Sequence, residues 1–199
     1  FDRTEVKSSI PLQPRFETPR YETVPYDAGE AGEDGSEAKK GMLTVNWLLS
    51  ESGDPELAMG LGILEHILVG TPASPLRKAL IDSGLGSALC DGCGFDADNR
   101  DSLFVSGLKD VEQLSAGKIE SIILNVLTEL ADNGIDQKLI DSAIHQIEFH
   151  RKEITNTPYP YGIRLLLTFS GSWFHGGDPL NILNFNADLE QLHRELDKG

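Results

Sequence analysis

The first apolar stretches of the chain have the pattern of β-strands. Residues 20–26 alternate apolar and polar side chains, and Pro25 restricts such a strand to an edge or an end. Residues 42–49 form a nearly continuous apolar run, which is typical of a buried strand. Between them, residues 29–37 are polar and rich in glycine. The sequence therefore predicts a β-hairpin with a flexible loop at its tip.

A helix is predicted to follow this hairpin and to begin at Asp54-Pro55, because an N-cap aspartate before a proline in the first turn favours a helix start. Gly70 is predicted to end it. Leucines recur along it at spacings of four, three and four residues, so we expect them to form one buried face: Leu57, Leu61, Leu64 and Leu68. A second, short helix is predicted between residues 74 and 84.

The rest of the chain continues with a second hairpin and then with helices only. Residues 86–95 and 102–109 are predicted to form the strands of that hairpin. Apolar periodicity predicts four helices after it, at residues 119–130, 136–153, 161–173 and 189–196. This order indicates an α+β fold, in which one antiparallel sheet is covered by a layer of helices.

The predicted domain begins after a proline-containing lead-in. Residues 1–19 carry three prolines and no clear periodicity, so we interpret them as an extended lead-in or interdomain connector. Residues 20–199 are long enough for one domain with a sizeable core. Because the first residue is Phe1 rather than Met, we expect the chain to be a piece of a longer protein.

Charge narrows the classes of function. Among 199 residues there are 17 lysines and arginines and 32 aspartates and glutamates, which gives a net charge of −15. Such a chain is poorly suited to neutralise phosphates, so nucleic-acid binding and docking on an anionic membrane are disfavoured. No apolar run reaches the roughly 18 residues of a membrane span, and no signal-peptide core is visible. We therefore expect a soluble, intracellular protein.

The most informative motif lies in the first predicted helix, at Gly62-Ile63-Leu64-Glu65-His66. It has the spacing of the inverted zinc-peptidase motif H-x-x-E-H, with glycine in place of the first histidine. In that motif two histidines four residues apart share a helix face and bind zinc, while the glutamate acts as general base. A catalytic zinc needs about three protein ligands, and this helix offers only His66. The motif is therefore degenerate, and we assign it no catalytic or metal-binding residue.

Residues around this motif carry a family resemblance. The most specific pieces are residues 71–76 (Thr-Pro-Ala-Ser-Pro-Leu) and 83–86 (Ser-Gly-Leu-Gly), and two later pieces, residues 145–149 and 176–180, agree in order and spacing. Over residues 20–198 the chain resembles the second, non-catalytic peptidase-like domain of the presequence-protease branch of the pitrilysin and insulysin superfamily of zinc metallopeptidases.

The resemblance implies a parent with four related α+β domains in two halves that close around a chamber. Its first domain carries an intact H-x-x-E-H and a later glutamate ligand, while the second keeps the metallopeptidase-like sandwich without the chemistry. The zinc-site positions then map onto Gly62, Glu65 and His66 and fail at Gly62. For the third ligand the candidates lie on the 136–153 helix, with Glu148 first and Asp141 next, and no ligand is transferred to either.

On this basis we expect a non-catalytic structural domain of a chambered zinc metalloendopeptidase that degrades short, unfolded peptides. It would pack against the catalytic domain and form part of the chamber wall, with zinc held in the catalytic domain only. The alternative is a free-standing binding or scaffold protein that reuses the peptidase-like fold. A third hypothesis is a competent hydrolase that uses Glu65 and His66 with metal ligands from elsewhere.

Two further groups of residues are candidates for a chemical or binding role. Cys90 and Cys93 form a C-x-x-C pair in a predicted strand, which could be a redox pair or half a zinc site. Because no partner cluster accompanies them, we interpret them as structural or incidental. The aromatic residues near the C-terminus could line a peptide surface, but at helical spacing we expect them in the core: Tyr159, Tyr161, Phe169, Trp173 and Phe174.

Overall fold

The computed structural model describes residues 9–26, 41–51, 54–154, 159–180 and 185–196. Its strands are β1 (Gly41–Glu51), β2 (Ala88–Leu89), β3 (Gly94–Asp96) and β4 (Asp101–Val111). Its α-helices are α1 (Pro55–Glu65), α2 (Pro75–Asp82), α3 (Ala116–Asn133), α4 (Gln137–Lys152), α5 (Tyr161–Phe174) and α6 (Phe185–Leu196). A π-helical turn, His66–Gly70, continues α1, and a short 3₁₀ turn, Gln113–Ser115, precedes α3.

The sheet is antiparallel and is organised around β4. Strand β1 pairs with one edge of β4, with Val45 opposite Ser106, and β2 and β3 pair with the other edge. A side chain at Gly107 would overlap the Leu43 carbonyl oxygen, so the close approach of β1 requires glycine there. The α+β fold with an antiparallel sheet is confirmed. The return strand of the predicted second hairpin is β4, but its first strand, predicted at residues 86–95, is divided into β2 and β3 by a turn.

Two apolar clusters hold the helices to the sheet and to one another. The first joins the sheet to the π-turn, α2 and α3, and its fully buried members are Leu76, Leu80, Leu108, Ile119 and Ile123. The second joins α1 and the π-turn to α4 and α6 through Ile63, Ile67, Ala143, Ile144 and Leu189. The stretch from Glu56 to Asp82 is apolar enough by length and composition to pass as a membrane span. Here it is broken at residues 71–74, and its buried apolar side chains belong to these two clusters.

The buried face of α1 differs from the one that the leucine spacing predicts. Leu57 and Leu64 are 44% and 37% exposed, whereas the neighbouring Ile63 and Ile67 are 5% and 6% exposed. The predicted face is wrong because α1 packs on α4 and α6 through these isoleucines. Leu68 is buried as predicted, but it belongs to the sheet-side cluster, which the π-turn reaches.

Residues before β1 do not form the predicted strand. Residues 20–26 are irregular and exposed, so the strand predicted there is wrong, and the predicted loop at 29–37 lies outside the described residues. Earlier in the chain, the lead-in contacts the start of β4. The Gln13 backbone N–H donates to Asp101 Oδ2 at 2.8 Å, and Arg15 lies 3.4 Å from Asp101 Oδ1.

Helix α5 exposes apolar side chains that the sequence analysis assigns to the core. Trp173 and Phe174 are 61% and 78% exposed, and Tyr159, just before the helix, is 56% exposed. Tyr161 and Phe169 are half-buried. The core interpretation is therefore wrong for most of this segment, because α5 shares neither of the two buried clusters.

Candidate functional site

The degenerate motif occupies the last turn of α1. The side chain of Asp54 caps the helix by accepting a hydrogen bond from the Leu57 N–H at 3.0 Å. At the other end the His66 N–H bonds to the Gly62 carbonyl, so residues 62 and 66 lie one turn apart on the same helix. The structure thus preserves the backbone spacing that a zinc-binding H-x-x-E-H helix uses.

Gly62 lies at the position of the first zinc ligand of the motif, and a Cβ atom would fit there although glycine supplies no ligand. A Cβ atom added to Gly62 would meet no other atom within 4 Å, outside its chain neighbours and its own helix backbone. Packing therefore does not require glycine at this position. The motif fails at residue 62 because the residue has no side chain, although a Cβ atom would meet no clash there.

The imidazole of His66 is held by two neighbours. Its Nε2 lies 3.0 Å from Oε1 of Gln146 on α4, so in this arrangement the ring N–H donates to the amide oxygen. On the other side the ring lies against Gly70, where a Cβ atom would come within 2.5 Å of the His66 Nδ1. Both ring nitrogens therefore face protein atoms at close range.

Gln146, and neither of the two carboxylates that the sequence analysis considers, is the α4 residue that hydrogen-bonds to His66. Glu148 Oε2 lies 3.6 Å from His145 Nδ1, and Asp141 Oδ1 accepts a hydrogen bond from the Gln137 amide. Both carboxylates thus contact residues of α4 itself, and the assignment of Glu148 or Asp141 to the third ligand position stays a prediction. Gln146 lies within residues 145–149, which carry part of the family resemblance. Its hydrogen bond to His66, 80 residues earlier in the chain, cannot be read from the local sequence.

Glu65 is half-buried between α1 and the start of β3. Burial raises the pKa of its carboxyl, and the charge of His66 acts in the opposite direction. A Cβ atom on Gly94 would lie 3.0 Å from Glu65 Oε1, and Gly94 also has a φ of +129°. The carboxyl of the motif is thus present and enclosed.

The described residues around His66 offer few ligands for zinc. Among the residues that the structure describes, no group of three or more histidine, cysteine, aspartate or glutamate side chains could hold a metal ion. The neutral amide of Gln146 is a weak substitute for a carboxylate ligand. Without a metal, Glu65 has no bound water of lowered pKa to deprotonate.

The cysteines lie in the turn between β2 and β3, so their predicted placement in a strand is wrong. Cys90 ends the pairing with β4 by donating its N–H to the Gly107 carbonyl at 3.0 Å. Cys93 closes the turn by donating its N–H to the Cys90 carbonyl at 3.2 Å. Both cysteines are free thiols.

An antiparallel α+β sandwich that keeps the helix spacing of the inverted zinc-peptidase motif, with glycine in place of the first histidine, defines a peptidase-like class of domain. The comparisons with known proteins agree with this class. The chain belongs to the family described as the peptidase M16 inactive domain, whose model matches residues 5–147.

Curated relatives of the chain include presequence proteases. The chain is 38% identical over 190 residues to presequence protease 1, chloroplastic/mitochondrial, of Arabidopsis thaliana, in an alignment that covers 95% of this chain and 17% of the relative. It is 30% identical over 196 residues to the mitochondrial presequence protease of Xenopus laevis, with 98% and 19% covered. Protein HypA of Clostridium perfringens is 31% identical, with 98% and 20% covered. The chain thus spans about a fifth of the length of these relatives, and the family resemblance is confirmed.

A solved structure matches the fold. The inactive peptidase domain of a zinc-protease-type protein from Bordetella parapertussis superposes with a TM-score of 0.58 at 17% identity, covering 77% of this chain and 82% of that chain. At this level of identity the match shows the fold alone. It supports the sandwich described above independently of the sequence matches.

Proposed function

We propose that the chain is the non-catalytic second peptidase-like domain of a chambered zinc metalloendopeptidase that degrades short, unfolded peptides. In this arrangement it packs against the catalytic domain and forms part of the chamber wall. Zinc is held by the catalytic domain, outside this chain. Residues 1–19 act as the connector to a neighbouring domain, and residues 20–199 form the domain itself.

The observation that carries the proposal is that the degenerate motif keeps its helix spacing but has no ligand at residue 62. The helix keeps the zinc-peptidase spacing from residue 62 to residue 66, yet Gly62 supplies no ligand and Gln146 is a neutral partner for His66. A domain that keeps the fold of a peptidase without its metal site supports a structural role beside an active copy. The names of the relatives, which are presequence proteases, support the same substrate class.

Helix α5 supports packing against another part of the parent. It presents a group of exposed apolar side chains: Ile163, Leu166, Leu167, Trp173 and Phe174. Exposed apolar groups of this size are typical of surfaces that another domain covers. The helix lies beyond residue 147, where the match to the family model ends, but within the alignments to the presequence proteases. This placement supports an interface that presequence proteases share.

The lengths of the relatives bear on the hypothesis of a free-standing scaffold protein, and their names bear on the location of the parent in the cell. Each of them is about five to six times longer than the aligned stretch, which favours one domain of a longer chain over a free-standing scaffold protein. Two of them are named as mitochondrial or chloroplastic proteins. We therefore propose an intracellular location for the parent as well.

The proposal can be tested by reassembly of the parent from two pieces. A tagged copy of this chain is mixed with the parent lacking this domain, and the complex is measured by analytical ultracentrifugation and by peptide cleavage. We expect a stoichiometric complex with zinc-dependent peptidase activity. Replacing Leu166 and Leu167 together by aspartate should weaken the complex at least ten-fold without unfolding the chain.

The matched control is Leu114→Asp, because Leu114 is 94% exposed and lies outside α5. This variant should assemble as the unmodified chain does. If the pieces remain separate, or if the α5 variant and the control assemble equally well, α5 is not an interface with the parent. A complex that forms but keeps full activity without this chain would contradict a role in the chamber.

A further inference from the structure

The turn between β2 and β3 brings two thiols together outside the degenerate zinc motif. The hydrogen bond from Cys93 N–H to the Cys90 carbonyl closes a four-residue turn, with Gly92 at a φ of +73° as its second central residue. Such a turn keeps its end Cα atoms within about 7 Å, and a disulfide spans about 4.4–6.8 Å between Cα atoms. A bond between the sulfurs therefore needs little movement of the backbone.

The two thiols are unequal in access and in acidity. Cys90 is 4% exposed, while Cys93 is half-buried and reachable from solvent. The neighbouring Cys90 thiol lowers the pKa of Cys93 to about 7, with help from the Gly107 backbone and against the effect of burial. The same pairing, together with burial, raises the pKa of Cys90 far above its ordinary value.

Ser106 gives a second, independent reason to expect a thiolate at this place. Its side chain is fully buried, and its hydroxyl has no hydrogen-bond partner among the described residues by strict geometry. Because Gly94 pairs with Val105, the next step of the register places Cys93 beside Ser106, and the Ser106 side chain helps to lower the pKa of that thiol. A negatively charged sulfur would give this buried donor the acceptor that it otherwise lacks. A purely apolar role for Cys93 leaves the hydroxyl unexplained.

We propose that Cys90 and Cys93 form a redox-active dithiol that is oxidised by small-molecule disulfides such as glutathione disulfide. The Cys93 thiolate attacks one sulfur of the oxidant, forms a mixed disulfide and releases one thiolate of the oxidant. Cys90 then loses its proton to solvent and attacks the Cys93 sulfur, which releases the second thiolate. The protein loses two electrons and two protons, and one disulfide of the oxidant becomes two thiols.

The pair lies directly beside the degenerate motif. Gly94 follows Cys93 in the chain, and a Cβ atom on it would be 3.0 Å from Glu65 Oε1. Oxidation would therefore fix the β2–β3 turn where it contacts α1. The inference depends on this turn and not on the proposed function of the domain.

The test treats the folded 199-residue chain with glutathione disulfide, quenches it with acid, and maps both cysteines by mass spectrometry. We expect a Cys90–Cys93 disulfide with the loss of two hydrogens and no retained glutathione. Cys90→Ser should retain one glutathione on Cys93. Cys93→Ser should acquire glutathione on Cys90 at least ten-fold more slowly, because that thiol is buried and holds its proton.

Unmodified protein provides a test that does not depend on the variants. With limiting iodoacetamide, Cys93 should react at least ten-fold faster than Cys90, and its rate should rise with pH around a midpoint near 7. Comparable rates at both cysteines, faster reaction of Cys90, or a glutathione adduct on Cys93 that persists in the unmodified chain would each overturn the proposal. Stoichiometric zinc released by thiol reagents would also overturn it, in favour of a metal site.

Discussion

Gly62 lies where the inverted zinc-peptidase motif has its first histidine. A Cβ atom there would meet no clash, and the Gly62 carbonyl accepts the His66 N–H one turn later. Gln146 places an amide oxygen 3.0 Å from His66 Nε2. On the proposed function, residues 62 and 146, far apart in sequence, are the two positions at which zinc ligands can be introduced around His66.

Restoring both residues should restore metal binding in steps. Gly62→His places two imidazoles four residues apart on one helix, and adding Gln146→Glu supplies a carboxylate next to His66. We expect the double variant to bind zinc at least ten-fold more tightly than Gly62→His alone, and Gly62→His more tightly than the unmodified chain. Calorimetric titration with zinc measures both steps.

The control for these variants is His66→Ala in the double-variant background, which should abolish the gain in zinc affinity. Helix propensity favours histidine over glycine by a few tenths of a kcal/mol, so the variants should remain folded. If the folded double variant binds zinc no better than the unmodified chain, residues 62, 66 and 146 do not face a common point.

Glu65 should make the stability of the domain depend on pH. Burial raises the pKa of its carboxyl above the ordinary value of 4.5, so the folded state holds this proton more tightly than the unfolded chain does. The resulting destabilisation is absent below pH 4.5, grows as the pH rises towards the folded-state pKa, and is constant above it. Glu65→Gln removes this effect, so the variant should be the more stable protein at pH 7.

Urea unfolding at pH 7 and pH 4 measures this difference. The advantage of Glu65→Gln should shrink or vanish at pH 4. Glu129→Gln, at an exposed position of α3, is the control and should change the unfolding free energy by less than about 0.5 kcal/mol at pH 7. An equal effect of Glu65→Gln at both pH values would show that the carboxyl is not destabilised by burial.

At the scale of elements, the contacts of α1 with α4 and α6 decide which side chains of α1 are buried. Ile63 is 5% exposed in the cluster that α1 forms with α4 and α6, whereas the adjacent Leu64 is 37% exposed. Truncation of a buried isoleucine leaves a cavity and typically lowers the unfolding free energy by about 2–5 kcal/mol. We expect Ile63→Ala to fall in this range and Leu64→Ala to lower it by about 1 kcal/mol or less.

The two alanine variants are controls for each other, because they remove side chains of equal size from neighbouring positions of one helix. Urea denaturation monitored by circular dichroism gives both values. Equal losses of stability would mean that the leucine face is buried after all, and that the packing of α1 against α4 and α6 is wrong.

At the scale of the whole molecule, the chain should not cleave peptides, even with added zinc. Hydrolysis at neutral pH by this class of site needs a metal that polarises the carbonyl and lowers the pKa of a bound water. Glu65 and His66 supply a general base and one ligand, which is too few. Incubation with an unstructured basic peptide, followed by mass spectrometry, measures this. Cleavage that disappears in Glu65→Gln would contradict the non-catalytic assignment.

The sequence by itself determined the features that depend on neighbouring residues. Asp54-Pro55 starts α1, the glycines at 70 and 134 mark helix ends, and residues 42–49 lie within β1. The missing ligand at Gly62 is equally local, because the motif is confined to one turn of helix. Each of these features follows from capping, backbone freedom or hydrophobic pattern within a few residues.

The tertiary structure alone decided which surfaces meet. It buried Ile63 instead of Leu64, because α4 and α6 arrive on that side of α1. It left residues 20–26 irregular and exposed, and α5 with exposed aromatic rings. It also placed Gln146 against His66 and closed a turn between Cys90 and Cys93 next to Ser106. These outcomes depend on contacts between residues that are distant in the chain. The free energies of such contacts cannot be read from local sequence patterns.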